Sequence, residues 1–401
     1  MIKMFELPNP VLKCIKILKS SGFDHYLVGG SVRDLLLKRV PKDYDLATNA
    51  TTYQIKNLFR DYHLKTFGEQ RGTIMVIIDR MVIEISQYKK RKDLRTDLEY
   101  RDFTINALAY SKDEGIIDYY GGLEDLEKKI IRGVKNPKKR IHEDPLRILR
   151  GLRFASTLGF IIDKKTSKLF NRHKGLLKAV AMERIKDEFN KILSGNDYYK
   201  VLSDYQRIIE VVIPELFKVV NKDQYLNNLK MIKDLKVEGS MKLALLFYKS
   251  NYTDDDLLLI ESGLRRLRMA KRVIREVIII IAYLIESLKL NKYYLRKAIN
   301  KLGFSNLEAI INVKRHLELE DEDKLLEILD LAILIETKKE VTSLEDLKIT
   351  GKDLIKIGID EGPLIGEILN FLLKEVINGH IANEYNSLIK AAREKNIIKT
   401  F

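Results

Sequence analysis

Two stretches of this chain have residue types and spacings that could do chemistry. The first is VPKDYDLATNA, 40–50, where Asp43 and Asp45 stand one residue apart in an otherwise apolar run. In a strand, residues i and i+2 face the same side. The two carboxylates would then project together and repel each other unless a cation compensates them. The alternatives are two solvated loop residues or a cap for the helix that follows. The preceding GGSVRD, 29–34, is a glycine-rich turn entering a helix, with Ser31 as expected N-cap and Asp34 completing a capping box. Gly29 and Gly30 let a backbone approach closely. N–H groups at a helix N-terminus bind phosphate oxygens. A phosphate cradle followed by paired carboxylates is what two-metal phosphoryl or nucleotidyl transfer needs, with Mg2+ as the compensating cation.

The second stretch is EDPLRILR, 143–150. Asp144 and Arg147, three residues apart on an expected helix, would share a face. An ordinary surface salt bridge is the plain alternative. The chemical reading is base recognition. Cytosine and adenine each show an amine donor beside a ring-nitrogen acceptor. An ionised Asp only accepts and an Arg only donates, so the pair suits both bases. Uracil and guanine would oppose like with like and leave buried groups unpaired. Arg150 is the next basic residue on that face, placed to contact phosphate.

The elements that position these residues divide the chain in two. Up to about residue 135 short strands alternate with helices: HYLVGG, KDYDLAT, GTIMVIID and MVIEISQY read as strands, the last two joined at Asp79-Arg80. After VKNPKKR the pattern is almost entirely helical to Phe401, with short polar breaks such as SGND, KVEGS and VTSLED. The 401 residues carry Lys plus Arg 72 against Asp plus Glu 57, a net charge of +15, which points to a polyanionic partner, nucleic acid ahead of membrane. Cys14 is the only cysteine, which excludes an internal disulfide and a thiolate cluster. The six His show no metal-ligand spacing. The N-terminus lacks a signal-peptide pattern and the longest apolar run, Val277 to Ile285, is too short to span a bilayer, so a cytoplasmic location and no membrane partner are expected.

With these residues in place, LVGGSVRDLLLKRVPKDYDLAT resembles the first motif of class II tRNA nucleotidyltransferases, the CCA-adding enzymes and their bacterial poly(A) polymerase relatives. The resemblance implies Asp43 and Asp45 as the catalytic, Mg2+-binding pair, with Gly29, Gly30 and Arg33 holding the triphosphate. RDFTINALAY, 101–110, resembles the second motif, which implies Arg101, Asp102 and Asn106 near the ribose and phosphates. Tyr100 stands where the family usually has a second Arg. DYYGGLEDLEKKIIR, 118–132, resembles a hinge motif; a plain turn and helix cap is its alternative. EDPLRILR resembles the family's protein template, in which Asp144 and Arg147 read the base and Glu143 positions Arg147. ERIKDEFNKIL, 183–193, resembles a buttress of that template. The motifs cover roughly 26–193.

The implied fold is an elongated multidomain chain, with an α/β nucleotidyltransferase head, 1–135, an all-α neck carrying the base-reading helix, 136–200, a body, 201–290, and a tRNA-binding tail, 291–401. The implied reaction is template-independent addition of CMP from CTP to the tRNA 3′ end. Only QYKKRKDLRTDLE, 87–99, separates MVIEIS from the second motif. Family members that complete CCA usually carry a longer loop there, and those that add only CC lack it, so CC addition is expected, with a separate A-adding enzyme finishing the same tRNA. KKRK, 89–92, is an expected basic tip near the acceptor end. RRLRMAKRVIR, 265–275, has six basic residues in eleven. Arg268, Arg272 and Arg275 are expected on one helix face against RNA phosphates. Rivals are complete CCA addition with CTP and ATP, A addition, poly(A) synthesis, and a non-enzymatic tRNA-binding protein. No His-Asp phosphohydrolase cluster is seen in the C-terminal half, and no second activity is expected.

Overall fold

The computed structural model describes residues 5–66, 72–89 and 93–399. The expected tip at 89–92 therefore lies outside the described residues beyond Lys89. The residues group into two compact units, 1–214 and 215–401.

The first unit opens with helix α1 (Asn9–Ser20), β1 (Tyr26–Val28), α2 (Gly30–Leu36), β2 (Tyr44–Thr48), α3 (Thr52–Leu58), β3 (His63–Thr66), β4 (Thr73–Ile78) and β5 (Met81–Gln87). Then come α4 (Leu94–Glu99), β6 (Leu108–Ser111), β7 (Gly115–Asp118) and α5 (Gly122–Glu127). Seven strands form one mixed sheet, ordered β3-β4-β5-β2-β1-β6-β7. Within it β2 and β5 run parallel, and β1 is antiparallel to both its neighbours. Period-2 alternation builds the two faces. Leu27, Leu46 and Leu108 pack with Val11, Cys14 and Leu18 of α1, whereas Val28, Ala47 and Ala109 pack with Tyr88 and Leu98 on the opposite side. Cys14 is buried there and its thiol is pushed up to about 12 by burial, so it is an inert core residue. The β4–β5 turn uses Asp79 and Arg80 at φ 50° and 66°, the conformation a tight hairpin demands.

The chain turns helical through β8 (Ile130–Ile131), α6 (Pro137–Glu143), α7 (Arg147–Leu158), β9 (Ile161–Ile162), α8 (Lys164–His173) and α9 (Met182–Leu193), then α10 (Tyr198–Asp204) and α11 (Gln206–Val212). Gly151 lets α7 lie against Phe170, since a Cβ there would stand 2.5 Å from the Phe170 ring. The second unit is helical throughout: α12 (Leu216–Val219), α13 (Lys222–Leu235), α14 (Gly239–Leu246), α15 (Asp254–Arg266), α16 (Lys271–Ile285) and further helices to Lys399. Among the described residues no helix is long and apolar enough to cross a membrane.

Three local expectations need correction. Ser31 does not cap α2. Gly29 is the N-cap residue, the Ser31 hydroxyl donates to Val28 O at 2.9 Å, and Asp34 accepts from the Arg33 guanidinium. The helix entrance thus has no capping side chain. Asp144 and Arg147 do not share one helix. Pro145 disfavours helical backbone at Asp144, which takes φ −145° and ψ 95° and ends α6, and α7 begins only at Arg147. Arg268, Arg272 and Arg275 do not share one helix face. The chain leaves α15 through a Schellman turn: Arg268 has φ 57°, its N–H reaches Arg265 O, and the Met269 N–H reaches Leu264 O. The buried side chains of Leu267 and Met269 fix that break.

Candidate active site

The site is built where the ends of β1 and β2 meet the α2 entrance and α7. A cleft of about 430 Å³ is lined by Gly29, Gly30, Arg33, Asp43, Asp45, Tyr100, Arg101, Asp102, Asn106, Asp144, Arg147, Arg150, Arg153, Phe154 and Arg184. Every residue singled out above for catalysis or nucleotide contact lies on it except Glu143, which instead holds Arg140 at 2.9 Å.

Asp45 lies on β2 and Asp43 just before it. Burial raises the Asp45 carboxyl above its ordinary range, and Asp43 adds to the rise while Arg101 opposes it. A negative pair held against its own repulsion is a place where a cation is stabilised. Across the parallel β2–β5 ladder Asp45 faces Glu84, whose carboxyl is also raised, by burial and then by Asp45 and Asp43. The sequence carried a signal for Glu84 that went unread, a lone acid in the apolar strand MVIEISQ.

Gly29 sits at φ 73° and ψ −132°, and a Cβ there would stand 3.2 Å from Arg101 Nη1 and 3.8 Å from Asp45 Oδ2. The position therefore favours glycine for its backbone, and an added Cβ would also crowd the Arg101 guanidinium. Gly29→Ala is expected to cost about 1–3 kcal/mol in strain at this turn. It should lower catalytic turnover at least tenfold, read as kcat/KM beside a melting curve.

The cationic wall is held by a chain of hydrogen bonds. Arg33 Nη1 donates to Asn106 Oδ1 at 2.7 Å, Asn106 Nδ2 donates to Asp102 Oδ1 at 2.9 Å, and Arg150 Nε donates to Asp102 Oδ2 at 2.7 Å. Burial alone would raise the Asp102 carboxyl, but Arg150, Asn106 and Arg147 hold it well below the carboxylate range. Asp102 is thus a permanently charged anchor that orients arginines on either side. Arg101 is fixed by buried Asp97 at 3.0 Å. The Phe154 ring carries Arg33 at 5.0 Å and Arg153 at 4.1 Å, and Arg153 is paired with Glu188 of α9 at 2.8 Å.

At the far end, Asp144 accepts from Arg184 at 3.0 Å, and Arg147 Nη2 donates to the Tyr100 carbonyl at 2.7 Å. Arg147 Nη1 is buried with no hydrogen-bond partner. A buried donor without a partner is costly, so this nitrogen is a strong donor to any acceptor that reaches it. Glycines, carboxylates, an arginine wall and this donor–acceptor end form one continuous cleft.

A poly(A) polymerase head domain model matches residues 25–132, an RNA- and SrmB-binding model of polymerase A matches 159–218, and a tRNA nucleotidyltransferase domain 2 model matches 228–392. A CCA-adding enzyme of Pediococcus pentosaceus is 33% identical over 97% of this chain and 98% of its own length. The chain belongs to the CCA-adding enzyme family.

The likeness extends to a CCA-adding enzyme of Bacillus subtilis, 32% identical over 96% of both chains. The crystal structure of the Bacillus stearothermophilus CCA-adding enzyme in complex with CTP superposes with a TM-score of 0.69 and 25% identity, covering 98% of this chain and 99% of that one. As a CCA-adding enzyme family member, the chain is a template-independent tRNA nucleotidyltransferase acting at the tRNA 3′ end. Within that frame, Arg153, Phe154 and Arg184 are cleft residues that the sequence reading missed. Arg184 and Glu188 lie in the 183–193 motif, and their ion pairs with Asp144 and Arg153 run from α9 to the cleft wall.

Proposed function

We propose that this enzyme transfers CMP from CTP to the tRNA 3′ end and stops after two cytidines. The observation behind the stop is the segment after β5. Tyr88 is buried, its hydroxyl donates to Asp24 at 2.9 Å and its N–H to Thr48 O at 2.8 Å. The Lys89 N–H reaches Asp97 Oδ1, and Asp93 caps α4 by accepting from the Thr96 N–H. With Lys89 and Asp93 both tied, only three residues lie between two anchored points. The stretch 87–99 is thus short and tied at Tyr88, Lys89 and Asp93, where family members that complete CCA usually carry a longer loop. The second reading is complete CCA addition with CTP and ATP, favoured by the activity in the names of the relatives.

In the proposed mechanism, Gly29, Gly30 and Arg33 cradle the triphosphate, Arg101 and Arg150 add charge along it, Asn106 and Asp102 hold Arg33 and Arg150 in place, and Asp97 holds Arg101. Asp144 accepts from the cytosine amine and Arg147 donates to its ring nitrogen and carbonyl, so a base with the opposite pattern leaves buried groups unpaired. Asp43 and Asp45 offer only oxygen donors to a cation, which fits Mg2+ with the remaining ligands supplied by phosphates and water. Bound there, Mg2+ would supply activation of the tRNA 3′-hydroxyl and charge neutralisation of the departing pyrophosphate. In the second unit, Arg265, Lys271 and Arg275 line a groove of about 410 Å³ floored by Ile274, Ile278 and Ile279. We propose it, together with Arg272 and Arg268, as contact for RNA phosphates. Exposed Arg272 is tied to Glu276 at 2.7 Å, so it would exchange that partner for phosphate.

The test uses three tRNA transcripts ending at the discriminator base, at C and at CC, each with Mg2+ and with CTP, ATP or both. Products stopping at CC, with no A added even to the CC transcript, are the expected result. Products reaching CCA would show that the short segment suffices and would overturn the CC-only reading.

A further inference from the structure

Tyr100 occupies a position where both halves of the base-reading end converge. Its carbonyl accepts from Arg147 Nη2 at 2.7 Å. Its ring lies under the Arg140 guanidinium, Cζ 4.0 Å from the ring centroid. Arg140 is buried, pairs with Glu143 at 2.9 Å, and its own carbonyl accepts the Asp144 N–H at 3.1 Å. One residue at the end of α4 is therefore joined to Arg147 through its backbone and to Asp144 through its ring, by way of Arg140. A guanidinium held over an aromatic face and desolvated there is among the stronger contacts of that type.

We propose that Tyr100 is a positioning residue for nucleotide selection: its ring locks Arg140 and the end of α6, and so sets Asp144 and Arg147 at the spacing that accepts cytosine. The inference rests on the proposed role of Asp144 and Arg147 as base readers. It also explains how the cleft works with an aromatic residue where the family resemblance leads one to expect a second Arg. A guanidinium at position 100 would face Arg140 with like charge, whereas a ring attracts it. Glu143, absent from the cleft lining, gains a function in the same lock, since it neutralises Arg140 rather than touching Arg147.

The lock predicts a loss of selection rather than a loss of catalysis. Five proteins would be compared for CMP and UMP incorporation into a tRNA transcript: wild type, Tyr100→Phe, Tyr100→Leu, Arg147→Ala and the double variant Tyr100→Leu with Arg147→Ala. Tyr100→Leu keeps bulk and the backbone carbonyl but removes the π face. It is expected to lower CTP-over-UTP discrimination about five- to tenfold, mostly through KM for CTP. Tyr100→Phe keeps the face and should retain more of the discrimination than Tyr100→Leu. The double variant Tyr100→Leu with Arg147→Ala should be no less selective than Arg147→Ala alone, because the lock acts through that arginine. Melting curves show that each variant is folded, and Tyr100→Met, which also lacks a π face, carries the comparison should Tyr100→Leu fail to fold: lost discrimination in it supports the stack, and retained discrimination overturns it. Retained discrimination in folded Tyr100→Leu, with Arg147→Ala losing it, overturns the lock alone. Retained discrimination in Arg147→Ala overturns the base-reader assignment and the lock with it.

Discussion

Replacing Asp45 by Asn is expected to abolish CMP incorporation, with a fall on the order of 10³-fold in kcat, corresponding to several kcal/mol of lost charge stabilisation at the reacting phosphate. The same should hold for Asp43→Asn. Stability should move the other way. The folded protein holds the Asp45 carboxyl above its ordinary range, so its charged form opposes folding, and that opposition is present at neutral pH and fades as pH falls through the raised value. Asn removes the charge at nearly constant shape, so the Asp45→Asn melting temperature at pH 7 should equal or exceed that of wild type. Added Mg2+ should raise the melting temperature of wild type and leave Asp45→Asn unmoved. An active Asp45→Asn protein, or one stabilised by Mg2+ as well as wild type is, would remove Asp43 and Asp45 from the proposed metal site. Affinity for tRNA, measured without nucleotide, should change by less than about twofold, because a neutral side chain at a carboxylate position takes no phosphate contact away.

Arg147→Ala is expected to lower kcat/KM for CTP about 10²-fold and to bring CTP and UTP within a few-fold of each other. The reason is the state of that side chain before any nucleotide arrives. Burial lowers its affinity for the proton, opposed by Asp102 and Asp144, and one of its two terminal nitrogens is engaged by the Tyr100 carbonyl while the other is buried without a partner. A nucleobase acceptor that meets this donor recovers about 1–3 kcal/mol, and an opposing N–H forfeits it. Asp144→Ala should behave alike for CTP, with one difference. It also releases Arg184, now paired to Asp144 at 3.0 Å, so a free cation enters the cleft. KM for UTP, which gains nothing from Asp144, should then fall even as discrimination is lost. Single-nucleotide kinetics with CTP, UTP and ATP separate the two variants. Unchanged CTP preference in both would mean that the base is read elsewhere.

Much of this site was legible because it is local. Gly29, Gly30, Arg33, Asp43 and Asp45 lie within one short stretch whose turn and strand spacing carry the chemistry in the chain itself. The head's strands, the Asp79-Arg80 hairpin and the helical remainder followed from period and turn residues in the same way. The errors also had local causes. Pro145 ended a helix that the Asp144–Arg147 spacing seemed to continue, and a left-handed Arg268 broke the basic face at a turn where glycine is usual.

What the sequence by itself determined was the inventory: a carboxylate pair, a glycine turn, an acceptor and a donor three residues apart, and enough alternating and helical pattern to build a sheet and a helical body. Only the tertiary structure decided which of the many arginines act together, because Arg33, Arg150, Arg153 and Arg184 converge through Asp102, Phe154, Glu188 and Asp144, residues distant in the chain. It also decided the position of Glu84, set beside Asp45 by a parallel strand pairing, and that of Tyr100, set under Arg140 by the packing of α4 against α6. Spacing along a chain encodes which side chains share a strand or a helix face. Contacts between elements depend on packing and on charge neutralisation in a buried space, and these exist only after the chain has closed on itself.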